Sequence, residues 1–416
     1  MKRIYLICAI SLLISCGKSG SGELTSPEPV VVADPVLLKL RSALKFSKEF
    51  AVWGETLITY NERINDQTSS ITDGVLIAGN DVKFKYLNVK SVINHPNLAG
   101  YVIPQSTDYG VGDLKNVLAN VASVEFLFSG SRFDALIFGY GSDFSIGNIQ
   151  VEIDGKFTNI SGYQYPPTND GRPHYLNFEF KTVAVKRRIK IVYSGIRLFG
   201  GIVTDKNAVV EAVVPDNNLK LLVFGDSFTA GTGAENQFNK YLAYRVGDLL
   251  GFDNTIISGV GGTGYVNPNL SNVRKVFQQR ITDITDAKPD AVIIAGGIND
   301  LGLAQPDEFA AITLLFLQTV SNALPNTEIF VTGPWWGSGV GYPQAHANAI
   351  QKSAAAVKRT HYIDVSTWIT GNGSITSKNG SGNSDLYISS DKIHPSIAGH
   401  DYLARKLAAE IRKVIE

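Results

Sequence analysis

Gly225-Asp226-Ser227 closes the apolar run Leu221-Leu222-Val223-Phe224, and Asp391-Lys392-Ile393-His394-Pro395 lies near the carboxyl terminus. A hydroxyl, and an imidazole with a carboxylate three residues upstream, are the parts of nucleophilic acyl transfer. The imidazole takes the serine proton, and the carboxylate fixes the tautomer and supports the imidazolium. Ser227 taken alone has a second reading, because serine at a strand-to-helix turn is also a preferred N-cap. One tight turn can bring Asp391 and His394 together. Pro395 disfavours helical geometry at His394, so the pair is expected in a loop just before the last helix. Acyl transfer also needs donors aimed at the oxyanion of the tetrahedral intermediate. Ser258-Gly259-Val260-Gly261-Gly262-Thr263-Gly264 offers backbone N–H groups with no side chain in the way. Ala295-Gly296-Gly297-Ile298-Asn299-Asp300 offers the Asn299 amide, which reads equally as an Asx-turn residue.

Elements must carry these groups to one place. From Leu219 onward, apolar strands alternate with helical stretches, the pattern of a three-layer α/β domain. Strands are predicted at Leu219 to Phe224, Thr255 to Ser258, Ala291 to Ala295, Glu328 to Thr332 and His361 to Asp364. Leu242, Val246, Leu249 and Leu250 recur at helical spacing, as do Leu403, Leu407, Ile411 and Val414 in the final helix. Parallel strands buried on both faces carry functional side chains at their carboxyl ends, where Ser227, the glycine loop and Asn299 all fall. Residues 36–215 follow period two and read as all-β, a sandwich of jelly-roll type. Ile149, Val151 and Ile153 alternate with polar residues ahead of an Asp154-Gly155 hairpin signal, and Ile189, Ile191 and Tyr193 alternate likewise. Further strands are predicted around Val124 to Phe128 and at Phe133 to Tyr140, Tyr175 to Phe180 and Ile196 to Val203.

Together the blocks around Ser227, Gly262, Asn299 and the closing Asp391-x-x-His394 resemble the SGNH, or GDSL-type, hydrolases over roughly Leu219 to Glu416. The resemblance implies a flavodoxin-like parallel sheet in residues 216–416. By it, Ser227 is the nucleophile and first oxyanion donor, Gly262 the second through its N–H, and Asn299 the third through its side-chain amide. Asp391 and His394 complete the triad. Gly225-Asp226-Ser227-Phe228-Thr229 lacks the second glycine of a G-x-S-x-G elbow, which disfavours the ordinary α/β-hydrolase arrangement. A β-sandwich ahead of such a domain is similar to the two-domain carbohydrate esterases, some of which remove O-acetyl groups. The expected function is therefore a serine esterase acting on short acyl, above all O-acetyl, esters of carbohydrate. A lipase or thioesterase of the same family is one alternative. A non-catalytic carbohydrate-binding envelope protein is the other. Gly333-Pro334-Trp335-Trp336-Gly337 follows the fourth strand. At least one of Trp335 and Trp336 is expected to line the cleft as a sugar platform, the competing reading being indoles that plug the core.

The chain has 416 residues, more than one core usually supports, and its 44% hydrophobic content is ordinary for a globular protein. Lys and Arg number 38, as do Asp and Glu, which argues against a nucleic-acid or anionic-membrane partner recognised by bulk charge. The run Lys186-Arg187-Arg188 reads as a solvated strand end. Lys2 and Arg3 precede an apolar stretch, Ile4 to Leu13, that is too short to span a bilayer. Leu13-Ile14-Ser15-Cys16 resembles a bacterial lipobox, so residues 1–16 are expected to be a lipoprotein leader with Cys16 acylated, and 17–35 a flexible tether. That reading implies an exported bacterial lipoprotein whose membrane contact is the anchor alone. Cys8 and Cys16 are the two cysteines, both in the leader, which leaves the mature fold no disulfide and no thiol nucleophile. No metal or organic cofactor is expected, because the compact His and carboxylate grouping is the single pair Asp391 and His394.

Overall fold

Alternating apolar and polar residues build two antiparallel sheets in the first half of the computed structural model, which describes residues 34–46, 68–108, 119–139, 148–158, 163–164, 173–180, 185–194, 197–234, 237–269, 274–337 and 341–416. The leader, Cys16 and the tether to residue 33 lie outside them, as do Tyr140 and Ile196, the outer residues of two predicted strands. The strands are β1 (Val75–Ala78), β2 (Lys85–Leu87), β3 (Ser91–Asn94), β4 (Val102–Gln105), β5 (Val121–Ser129), β6 (Arg132–Gly139), β7 (Asn148–Ile153), β8 (Lys156–Phe157), β9 (Tyr163–Gln164), β10 (Pro173–Glu179), β11 (Arg187–Ser194), β12 (Arg197–Thr204) and β13 (Val209–Glu211). One sheet runs β10-β6-β12-β4-β3, with β1 also on β12. The other runs β13-β5-β11-β7-β8, with β2 also on β5 and β9 on β7. Period two decides which side chains meet. Val124, Phe126, Phe128, Val151, Ile153, Ile189 and Ile191 of the second sheet share a core with Phe133, Ile137, Phe178 and Phe199 of the first. Asp154 and Gly155 both take positive φ, 52° and 76°, and turn β7 into β8 as the Asp-Gly signal predicts.

Two expectations for this half need correction. Residues 35–43 form a helix, α1 (Pro35–Ala43), whose Leu40 is buried in the core of the second half, and the Arg41 side chain donates to Ile415 O at 2.8 Å. A helix this short shows too few periods to stand out beside long stretches of period two. The basic run is a solvated end only at Lys186, which is exposed. Arg187 is buried with its guanidinium 4.3 Å from the centre of the Phe180 ring, Arg188 bonds Glu125 at 2.6 Å, and Lys186 pairs with Glu211 at 2.5 Å. An aromatic face and carboxylates on neighbouring strands supply partners that a linear reading does not display.

The second half is a five-stranded parallel sheet of β14 (Lys220–Gly225), β15 (Asn254–Gly259), β16 (Ala291–Ala295), β17 (Glu328–Thr332) and β18 (Thr360–Ile363), in the order β15-β14-β16-β17-β18. This is the flavodoxin-like order, and its switch point falls between β14 and β16. The helices are α2 (Ser227–Ala230), α3 (Leu242–Leu250), α4 (Ile281–Thr285), α5 (Pro306–Ala323), α6 (Gln344–Ala355), α7 (Ser384–Tyr387) and α8 (Ile397–Ile415). Alternate strand residues serve two helical layers. Leu221, Val223, Ile257 and Ile293 pack with Leu242 and Val246 of α3 and Leu403, Leu407 and Ile411 of α8. Leu222, Phe224, Ile256, Val292 and Ile294 pack with Phe316 and Val320 of α5 and Ile350 of α6. Burial on both faces is why these strands read as unbroken apolar runs.

The sandwich closes the open edge of that sheet. β15 is the edge strand, and its Thr255, Ile257 and Gly259 turn their backbone groups outward. Asn88 Nδ2 donates to Thr255 O at 2.9 Å, Ser106 Oγ to Ile257 O at 2.8 Å, and Asn120 Nδ2 to Gly259 O at 3.1 Å. Gly259 N returns a bond to Asn120 Oδ1 at 2.9 Å. Side chains thereby replace a further strand and satisfy an edge that would otherwise be exposed. Val121 and Val192, on the outer face of the second sheet, join the α3 and α8 core.

Candidate active site

β14 delivers Ser227 because its last residue is glycine. A side chain at Gly225 would collide with Ala295 O of β16 and with Thr229 Oγ1. Asp226 then caps α2, its Oδ1 accepting from Phe228 N at 3.0 Å. The N-cap role that serine could have filled therefore belongs to Asp226. Ser227 occupies the first helical position with its hydroxyl left for other bonds, and its N–H sits in a turn where backbone donors lack intrahelical acceptors. Burial pushes the Asp226 carboxyl up to about 7, the Phe228 N–H opposing the rise and nearby Asp300 adding to it.

His394 reaches Ser227 from a tight turn ahead of α8. Asp391 Oδ1 accepts from Ser389 Oγ at 2.7 Å and from the N–H groups of Ile393 and His394, each at 2.9 Å. Lys392, with φ 63°, supplies the left-handed residue that this loop requires. Ser396 caps α8 immediately afterwards. Asp391 Oδ2 lies 2.6 Å from His394 Nδ1, and His394 Nε2 lies 2.8 Å from Ser227 Oγ. Partial burial favours the neutral Asp391 acid, but the bonds from Ser389, His394 and the two backbone N–H groups outweigh it and hold the carboxyl well below its usual range. An anion at Nδ1 makes that nitrogen the donor and leaves the Nε2 lone pair facing the hydroxyl. Such a row can deprotonate Ser227 for attack on an acyl carbon.

The glycine loop and Asn299 reach the same rim. Val260 N bonds Gly225 O at 3.0 Å, drawing the loop after β15 over the end of β14. Gly261 is the residue beside Ser227, since a Cβ on it would lie 3.5 Å from Ser227 Cβ. Gly262 follows with φ 74°, turned so that a side chain would strike Asn269. Asn269 Nδ2 at 3.3 Å and Arg274 Nη1 both bond Gly261 O. In a planar trans peptide they thereby hold the Gly262 N–H in the opposite direction. The Asn299 Nδ2 donates to Thr263 O at 3.0 Å and approaches Asp226 Oδ2 at 3.4 Å, so the side chain spans the loop and the nucleophile's turn. Asn299→Ala is expected to lower kcat roughly 100-fold to 1,000-fold, as for removal of an oxyanion donor, and to lower stability by about 1–3 kcal/mol because the buried Thr263 O loses its partner. A variant altered in KM alone contradicts that role.

Residues that sequence reasoning missed hold these pieces in place. Arg280 is fully buried, with its guanidinium 4.4 Å from the Phe224 ring centre. It donates to Gly225 O at 3.1 Å, to Ser258 O at 2.8 Å and to Thr263 Oγ1 at 3.3 Å, tying the ends of β14 and β15 together. Asp300 accepts the N–H groups of Tyr265, Val266 and Asn267 at 3.0, 2.8 and 2.9 Å. Its place directly after Asn299 was the available signal. Asn120 reaches in from the sandwich to Gly259, at the head of the glycine loop. Asn120→Ala leaves two buried backbone groups of Gly259 unpaired, and is expected to lower stability by about 1–3 kcal/mol and to reduce kcat by roughly tenfold or more through the displaced loop. Unchanged melting and turnover contradict this coupling.

The tryptophan expectation is corrected in part. Trp335 is 1% exposed, stacked on Phe228 at 6.2 Å and packed on Trp368 at 5.8 Å, so its indole lies behind the nucleophile's turn and offers no face to a sugar. Phe228, the residue after Ser227, needs an apolar partner, and the nearer indole fills that space. Trp336 is half-buried. Its neighbour Gly337 packs so closely on Lys392 and Ile393 that a side chain there would meet their carbonyl oxygens. Among the described residues no group of three or more His, Cys, Asp or Glu side chains is arranged to hold a metal ion, and no helix is long and apolar enough to cross a membrane.

Residues 223–402, a span that holds Ser227, Gly262, Asn299, Asp391 and His394, match the family described as GDSL-like Lipase/Acylhydrolase. No curated protein matches the chain. Among solved structures, a salicylyl-acyltransferase from a tetracycline biosynthetic pathway has a TM-score of 0.63 at 14% identity, covering 83% of this chain and 98% of that one. A family two carbohydrate esterase from Cellvibrio japonicus has a TM-score of 0.58 at 17% identity, covering 82% and 98%. An acetyl xylan esterase from the rumen bacterium Butyrivibrio proteoclasticus has a TM-score of 0.55 at 16% identity, covering 86% and 99%. Likeness at these identities establishes the architecture alone.

Proposed function

We propose that this protein, whose residues 223–402 match the GDSL-like Lipase/Acylhydrolase family, is an esterase that removes short acyl groups, O-acetyl above all, from carbohydrate with Ser227, His394 and Asp391 as its triad. The observation that carries the proposal is the hydrogen-bonded row from Asp391 through His394 to Ser227 Oγ. Ser227 Oγ attacks the acyl carbon while its proton passes to His394 Nε2. The N–H groups of Ser227 and Gly262 and the Asn299 amide receive the oxyanion. Collapse breaks the ester bond, and His394 returns the proton to the departing sugar oxygen. Water, deprotonated by His394, then attacks the acyl-enzyme and releases the carboxylic acid and free Ser227.

The carbohydrate side of the proposal draws support from two sources. Solved structures of similar two-domain architecture include enzymes named as carbohydrate esterases. Trp336 is half-buried on the loop that packs against the turn of Asp391 and His394. Acetate release from a panel of O-acetylated glycans, run beside synthetic esters of increasing acyl length, tests the substrate. The expected result is release from at least one glycan and a steep fall beyond short acyl chains. Activity that rises with chain length replaces this reading with a lipase. We further propose that the protein is a lipoprotein exported to the bacterial cell envelope and anchored through Cys16, on the strength of the leader and its lipobox-like residues. Mass spectrometry of the mature chain is expected to find an acylated Cys16 at the amino terminus, and an unmodified terminus elsewhere overturns it.

A further inference from the structure

We propose that Arg274 makes the enzyme selective for acyl groups carried on acidic glycans, its guanidinium binding a uronic acid carboxylate beside Ser227. The proposal rests on the serine-esterase reading above. It starts from what stands on either side of Gly261. A Cβ placed there would be 3.5 Å from Ser227 Cβ and 3.4 Å from Arg274 Nη1, with nothing closer. Both distances are ordinary van der Waals contacts, so Ser227 and the Arg274 guanidinium flank the same glycine. A substrate seated on Ser227 would thus come near Arg274 in this proposal.

The guanidinium is held in place and keeps unused donors. It is half-buried and bonds Gly261 O through Nη1, and among the described residues most of its five N–H groups have no other acceptor. Among the described residues no carboxylate lies within ion-pair distance of it. Neighbouring cations differ, for Lys275 pairs with Asp108 at 2.6 Å and Arg280 with Asp283 at 3.5 Å. An anchored fork with free donors matches a carboxylate in a way that a lysine point charge does not. With equal numbers of acidic and basic residues, the chain has no bulk field to gather acidic polymers, and the selectivity must be local.

The test compares kcat/KM of the wild type, Arg274→Gln and Arg274→Lys on acetylated polygalacturonate and on neutral acetylated xylan, at low and high sodium chloride. A second pair, the 4-nitrophenyl esters of acetate and hemisuccinate, places the carboxylate on the acyl chain instead. The wild type is expected to prefer the acidic glycan, and Arg274→Gln to shrink that preference roughly 10-fold to 100-fold, mainly through KM, as for loss of a charge-assisted bond. Arg274→Lys should restore part of it. Salt should weaken wild-type turnover of the acidic glycan and spare the neutral one. Equal losses on both glycans overturn the proposal and leave Arg274 as a support for Gly261. A preference confined to the hemisuccinate pair also overturns it, because the carboxylate then belongs to the acyl group. A wild type that cleaves neutral acetyl esters but ignores acid and salt defeats this proposal alone, whereas one inert on every ester defeats the esterase reading as well.

Discussion

Ser227→Ala is expected to remove ester hydrolysis, with kcat falling roughly 10,000-fold to 1,000,000-fold, the range seen when the nucleophile of a serine triad is deleted. The fold should survive. The serine hydroxyl bonds His394 Nε2 at 2.8 Å, and the partly exposed position lets water take its place in the variant. Capping of α2 is unaffected, because Asp226 and not Ser227 accepts the Phe228 N–H. Had Ser227 been the cap, alanine would cost about 1 kcal/mol. Thermal unfolding measured beside steady-state turnover separates the two roles. A folded variant that retains activity assigns the nucleophile elsewhere.

His394→Ala is expected to be as damaging as Ser227→Ala, and the double variant no worse than either, because the two side chains act as one unit. Asp391→Ala should cost less, on the order of 10,000-fold, since Asp391 orients the imidazole and supports its charge without touching the acyl group. Its bonds to Ser389, Ile393 and His394 lie in an exposed loop, where water can replace them. A larger loss at Asp391 than at His394 reverses the assigned roles. The structure also sets the pH behaviour of this turn. Asp391 is held below its ordinary value, so the stability it contributes is present above the usual carboxylate range and is lost only as pH falls through the lowered value.

Much of the parallel sheet was legible because β14 and β16 are buried on both faces and leave unbroken apolar runs ahead of glycine. The Asp391 and His394 turn was legible because a carboxylate, an imidazole and a proline at fixed short spacing have few other arrangements. What stayed hidden depends on packing between distant segments. Arg280 sits in the polar stretch Gln278-Gln279-Arg280, where nothing marks it as fully buried against Phe224. Asn88, Ser106 and Asn120 are unremarked polar residues whose meaning comes from lying opposite the free edge of β15. The Trp335-Trp336 pair shows the same limit, since composition places both indoles in one loop and only the neighbouring Phe228 decides which is buried. Arg274 follows from neither pattern nor spacing, because its position is set by the fold of the glycine loop.

The central claim is that an acyl group passes through Ser227 on its way from glycan to water. Rapid acid quenching of the enzyme during turnover of an acetylated glycan, followed by peptide mass mapping, tests it directly. The expected result is the mass of one acetyl group on the peptide containing Ser227, absent from Ser227→Ala. Acetate released while that peptide stays unmodified and an acetyl group builds up on another side chain contradicts it.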